Sequence, residues 1–179
     1  MNFAGRAFSA PETSVLASDV ASVPDITAPS GLQGPFVALM VNPDAPPPPD
    51  SSRPEFIHWI QADLTADVSG RLSSSSAPFR AYQAPAPIQR GSPLHFIVLV
   101  FQQSAPGFSV PSAFARYSSG NPTGFNTSQF ALQGGLELAA ANYVNGLSRV
   151  EVKSSSHTDL SADTSMQLKR LSTVATVSE

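Results

Sequence analysis

The chain has 179 residues, with ten Lys or Arg, thirteen Asp or Glu and a formal net charge of -3. That length suits one domain with a sizeable core. The few basic residues (eight Arg plus Lys153 and Lys169) are scattered, which excludes the basic footprint of a nucleic-acid binder.

Cysteine is absent, so disulfides and thiolate metal sites are excluded. Seventeen prolines beside only 13% charged residues predict a loop-rich, β-rich fold, because proline interrupts helices. No apolar run is long enough to span a bilayer. The first twenty residues lack the basic start and continuous apolar block of a signal peptide. The compartment stays open between the cytoplasm, which is favoured, and a mature secreted form.

Residues 1–30 mix Pro, Ser, Ala and Thr and read as an extended arm, in which Pro24 and Pro29 bracket an edge segment, Asp25-Ile26-Thr27. A turn cluster from Gly31 to Pro35 leads into Phe36-Val37-Ala38-Leu39-Met40-Val41, six apolar residues predicted as a strand buried on both faces. Val41-Asn42-Pro43-Asp44-Ala45-Pro46 follows, and four successive prolines from Pro46 to Pro49 make a surface loop.

Phe56 to Ala62 is the second predicted strand, with Phe56, His58 and Ile60 on one face and Ile57 and Trp59 on the other. Residues 65–79, with Gly70 and the run from Ser73 to Ser76, read as a mobile loop, and Tyr82 to Pro93 as a structured one. Phe96 to Phe101 is the most apolar strand and is predicted to be central. Asn126 or Thr127 caps a helix of about two turns closed by Gly134-Gly135. The same Asn126-Thr127-Ser128 is formally a glycosylation sequon, but the capping role fits its context better. Leu136 to Val144 is ambiguous, since three alanines favour helix while Asn142 to Asn145 favours a strand ending in a turn. Met166 to Leu171 is predicted as a short terminal helix.

Asp44 and His58, at the ends of two apolar strands, are the candidate site residues, because rigid strands can aim polar groups into a cleft. On the residues alone, His58 also fits a satisfied core histidine and Asp44 a turn cap. His95 is expected at the strand edge or in solvent, and His157 in solvent. Three scattered histidines make no metal site, and no cofactor motif is present. No Gly-x-Ser-x-Gly turn supports a hydrolase.

Six stretches in order, Asn42 to Pro46, Glu55 to Ile60, Tyr82 to Gly91, Phe96 to Gln103, Phe125 to Phe130 and Ala140 to Asn145, resemble the phosphatidylethanolamine-binding protein family. The resemblance is clearest over residues 36–146 of a single domain spanning 1–179, with 147–179 as a variable C-terminal part. It implies a mostly β fold, an antiparallel β-sandwich with a few short peripheral helices, and makes Leu138 to Val144 a strand. It also implies an anion-binding pocket lined by Asn42, Asp44, Pro46, Phe56, His58, Tyr82, the backbone around Ala86, Leu94 and Phe96. A cis Ala45–Pro46 peptide would go with it, and Asp44 would orient His58, whose free N–H would donate to a phosphate oxygen.

The chain departs from the family pattern at the site itself. Asn42 stands where the motif begins with Asp. In an ungapped alignment Leu94 and Phe96 replace a histidine and a tyrosine, whereas a shift by one residue would restore the histidine as His95 but displace the strand. Ala84 and Ala86 replace glycines. These changes make the pocket less polar.

The resemblance implies, first, a non-catalytic protein that binds a small amphipathic or anionic ligand, with inhibition of a partner such as a protease, a kinase or a biosynthetic enzyme as one outcome. The alternative is an enzyme, a cyclase or pericyclase in which His58, Asp44 and Asn42 polarise a carbonyl or move a proton. A third expectation is a carboxypeptidase-type inhibitor acting through residues 1–20.

Overall fold

The computed structural model describes residues 2–3, 6–7, 13–15, 18–45, 55–85 and 94–146. Strands β1 (Asn2–Phe3) and β2 (Arg6–Ala7) form a small antiparallel pair of their own. Six more strands make one sheet: β3 (Thr13–Val15), β4 (Phe36–Asn42), β5 (Phe56–Ala66), β6 (Leu72–Ser73), β7 (Leu94–Gln102) and β8 (Glu137–Gly146). Their order is β3-β8-β7-β4-β5-β6. All neighbours are antiparallel except β3, which runs parallel to β8.

A 3-10 helix, Ser112–Ser118, and α1, Thr127–Gly134, complete the described elements. The fold is therefore mostly β with short peripheral helices, as expected. The predicted terminal helix at Met166 to Leu171 lies outside the described residues. Among the described residues, no helix is long and apolar enough to cross a membrane.

Every residue of β4 is buried, because it sits between β5 and β7 and both faces of the sheet are covered. Phe36, Ala38 and Met40 join Trp59, Phe96, Val98 and Val100 on the first face. Val20 and Ile26 pack there too, so the segment predicted as an extended arm supplies core residues, and Val15 of β3 joins them. Its Asp25-Ile26-Thr27 portion is indeed an edge: Thr27 bridges Arg71, and the Leu72 N–H donates to the Ile26 carbonyl at 2.8 Å. Removing residues 1–20 would take Val15 and Val20 from the core, so that truncation cannot isolate an inhibitory arm from the fold.

On the second face Val37, Leu39, Val41, Ile57 and Ile60 meet Phe114 and Tyr117 of the 3-10 helix, Phe125, and Phe130 of α1. The apolar spacing of Phe114 and Tyr117, three residues apart, suits a 3-10 turn, where i and i+3 side chains eclipse.

Strict alternation fails in β5. Met40 pairs with Trp59 but Val41 pairs with Ile57, leaving His58 as an extra residue in a β-bulge. Consequently Ile57 and Ile60 share the second face, while Trp59 packs on the first. The predicted grouping of Ile60 with Phe56 and His58 is corrected by that bulge. It also leaves His58 beside Phe56 and Phe96 at the end of the sheet.

Residues 65–79 are more ordered than predicted. β5 continues to Ala66 and turns tightly into β6. Asp67 Oδ1 accepts hydrogen bonds from the Ser69 and Arg71 N–H groups at 2.8 and 3.0 Å, and Gly70 takes the φ of 81° that the turn requires. Nearby, Asp63 adopts a φ of 54°, which a short polar side chain tolerates. Its Oδ1 accepts from Gln103 Nε2 and from the Gly107 N–H, both at 2.8 Å, while Gln103 Oε1 accepts from the Asp63 N–H at 2.8 Å. That reciprocal clasp ties the end of β7 to β5, and the Gln103 donor holds the Asp63 carboxyl below its usual range.

α1 begins as predicted, with Asn126 Oδ1 accepting from the Gln129 N–H at 3.1 Å, and ends at Gly135 with φ 60°. Glu55 adds a second cap, accepting from the Thr127 N–H at 2.8 Å and its hydroxyl at 2.6 Å. A carboxylate at a helix N-terminus is favoured by the orphan amides there. Through it the start of β5 is fastened to α1. β8 is a strand despite its alanines, because pairing with β7 along its length outweighs their helix propensity.

Candidate functional site

The ends of β4, β5 and β7 meet at one end of the sheet. Asn42 closes β4 and pairs with Phe56, and β7 enters beside them at Leu94 to Phe96. His58 sits among these residues and is only 4% exposed. Its ring lies 4.6 Å from Phe56 at 43° and 5.5 Å from Phe96 at 79°. Phe96 is buried, Phe56 and Leu94 half-buried.

Nδ1 of His58 is 2.7 Å from the carbonyl oxygen of Gln83. A carbonyl can only accept, so Nδ1 carries the proton and donates. Nε2 is buried and has no hydrogen-bond partner among the described residues. Burial pushes the His58 pKa below the ordinary imidazole value; the Gln83 bond opposes this in part, and the positive charge of Arg80 adds to the lowering. The ring is therefore neutral at physiological pH, and Nε2 presents a lone pair.

Asp44 does not orient His58. Its Oδ2 accepts from both the backbone N–H and the ring Nδ1–H of His95, each at 2.7 Å. The strand order explains the correction: β4 runs beside β7, so the turn after Asn42 delivers Asp44 to the first residues of β7. Asp44 and His95 are both exposed, and such a pair contributes little stability. His95 is exposed near the start of β7, and period two in β7 turns Phe96 inward against His58.

The turn after β4 is capped by Asn42 rather than by Asp44, with Asn42 Oδ1 accepting from the Asp44 N–H at 2.8 Å. Asn42 is buried, and a neutral amide makes this turn without the desolvation cost of a carboxylate. Tyr82 packs against the first-face core, and its hydroxyl donates to the Val20 carbonyl at 2.7 Å. Burial holds its phenol well above the usual range, so it remains a donor to Val20.

The structure thus sets Phe56 and Phe96 against His58, pairs Asn42 with Phe56, packs Leu94 on the first-face core, bonds Asp44 to His95, and commits the Tyr82 hydroxyl to Val20. A trio of His58, Asp44 and Asn42 acting on one carbonyl is not assembled, because Asp44 is bonded to His95. Pro46 and Ala86, and with them the Ala45–Pro46 peptide, lie outside the described residues; a cis peptide occurs at Gly34–Pro35.

Sequence reading missed Gln83 and Arg80. Arg80 is buried, and its guanidinium donates to the carbonyls of Tyr117 at 2.7 Å and Gly120 at 3.2 Å and to Gln83 Oε1 at 3.2 Å. It holds the C-terminal end of the 3-10 helix, where a cation is favoured. The available signal was an arginine between Phe79 and Tyr82, in a segment that pairs with β5 through Arg80 and Ile60.

Comparison with known proteins bears on the family and the fold. A family model described as phosphatidylethanolamine-binding protein matches residues 10–153, more than the stretch that carried the resemblance. Protein TWIN SISTER of FT from Arabidopsis thaliana is 31% identical over 111 residues, 62% of this chain; the aligned part is 57% of that relative's length, less than two thirds of it.

Among solved structures, that of a carboxypeptidase Y inhibitor complexed with its cognate proteinase superposes with a TM-score of 0.59 at 20% identity, over 77% of this chain and 76% of the other. A phosphatidylethanolamine-binding protein from Plasmodium vivax superposes with a TM-score of 0.53 at 12% identity, over 77% and 78%. At these identities the likeness concerns the fold.

Proposed function

Because the chain belongs to the phosphatidylethanolamine-binding protein family, we propose that it is a ligand-binding regulatory protein whose site is the strand end around His58. The observation that carries this is the buried imidazole, fixed by Gln83 on one nitrogen and unpartnered on the other between two phenyl rings. Buried polar atoms are almost always satisfied, and one left open at a family site is what an absent ligand group would complete. Asn42 and Leu94 finish a wall that is mainly apolar, which suits an amphipathic small molecule. Occupancy there would in turn govern a partner protein of the protease, kinase or biosynthetic-enzyme class.

One observation also favours a catalytic version. A neutral imidazole with a lowered pKa in an apolar surround is a competent general base. In that version His58 removes a proton from a bound hydrophobic intermediate, and carbonyl polarisation by Asp44 plays no part.

The test of the site is a backbone NMR titration with phosphoethanolamine, inorganic phosphate, benzylamine and benzyl alcohol in turn, a set that does not prejudge the ligand's polar group. At millimolar concentration at least one of them should move the signals of Phe56, His58 and Phe96 and leave those of Phe130, on the opposite face, in place. Signals that stay put, or that move only at Phe130, would sink the proposal.

A further inference from the structure

Resting on the site proposed above, we infer that its ligand is a neutral molecule carrying a hydroxyl group on an apolar body. The hydroxyl donates to Nε2 of His58, and the body lies against Phe56 and Phe96. The carbonyl of Gln83 fixes the proton on Nδ1, so Nε2 is an acceptor that nothing among the described residues satisfies. The missing partner must therefore be a donor.

A carboxylate or a fully ionised phosphate ester brings only acceptors, and could bind Nε2 only if His58 took up a second proton. The surroundings oppose that. The ring is buried, the charge on Arg80 disfavours an imidazolium, and Asp44 is bonded to His95 instead. An ammonium donor meets the same obstacle, since it would enter a site that feels Arg80 and offers no free carboxylate among the described residues. A hydroxyl supplies the donor without a charge. The two phenyl rings, one tilted and one edge-on to the imidazole, provide apolar walls for the remainder of the molecule.

Benzyl alcohol, benzylamine and inorganic phosphate are suitable probes for the full chain. Binding is followed by the ring-nitrogen NMR signals of His58 and by calorimetry in two buffers of different ionisation heat. Benzyl alcohol should move the Nε2 signal while the ring stays neutral, with no proton taken up. It should bind at least about tenfold more tightly than phosphate, and His58→Leu should weaken it by about tenfold or more. If that variant does not fold, the wild-type ring signals decide alone.

Tighter binding of phosphate with proton uptake at His58, or tighter binding of benzylamine, would overturn the hydroxyl assignment and leave the site standing. So would failure of benzyl alcohol to move His58 in a protein that responds there to phosphoethanolamine. Failure of phosphoethanolamine and of all three probes at His58 would overturn the site as well.

Discussion

Replacing Phe125 with alanine should destabilise the protein by about 3–5 kcal/mol, the usual cost of truncating a fully buried phenylalanine. Phe125 has no exposed surface, and its ring lies 5.0 Å from Tyr117, 5.4 Å from Phe114 and 5.4 Å from Phe130. These four aromatics cover the second face of β4 and β5. Domains are stable by only about 5–15 kcal/mol, so the loss would be a large fraction of the total.

The site should suffer too. The Phe125 N–H donates to the Glu55 carbonyl at 3.1 Å, and the Ile57 N–H to that of Pro122 at 3.0 Å, so the segment carrying Phe125 also holds the start of β5. Urea denaturation measures the effect, and Phe125→Leu should recover most of it. A cost below about 1 kcal/mol for alanine, ordinary for a surface change, would mean that the aromatic cluster does not pack as described.

Arg80→Met should cost about 2–3 kcal/mol, within the range for buried hydrogen bonds from a charged group. Methionine keeps much of the apolar stem but leaves the Tyr117 and Gly120 carbonyls without their donor. The same substitution should raise the His58 pKa, because the guanidinium's charge helps to lower it.

The sign of the linked pH dependence follows. A histidine with a lowered folded pKa contributes stability that is complete above its unfolded value, about 6.5, and is lost as pH falls through the folded value. Arg80→Met should narrow that window while reducing stability at every pH. An unchanged His58 titration in a folded Arg80→Met protein would show that the two groups do not communicate.

Much of the scaffold was legible in the residues. The apolar runs at Phe36 to Val41 and Phe96 to Phe101 became β4 and β7, and the capped helix from Asn126 to Gly135 formed where its signals stood. β8 was legible only through the family resemblance, since its alanines spoke for helix. Period-two reasoning placed β5 but could not foresee the bulge at His58, which depends on how β4 pairs with it.

The least legible contacts are those between distant residues. His58 finds Gln83 twenty-five positions away, and Asp63 finds Gln103 forty away, by tertiary packing that no local pattern encodes. Asp44 is the instructive case. Its place in the motif suggested His58 as partner, yet the order of strands, which brings β7 alongside β4, gave it His95.

His58 is thus a buried, neutral imidazole with its proton on Nδ1 and an Nε2 lone pair that no group among the described residues satisfies. Ring-nitrogen NMR of the unliganded protein across the neutral and acid range is the decisive measurement. The expected result is a protonated Nδ1, an unprotonated Nε2 and a titration midpoint below the ordinary imidazole value of about 6.5. A proton on Nε2 at neutral pH, whether from the opposite tautomer or from an imidazolium, would contradict it.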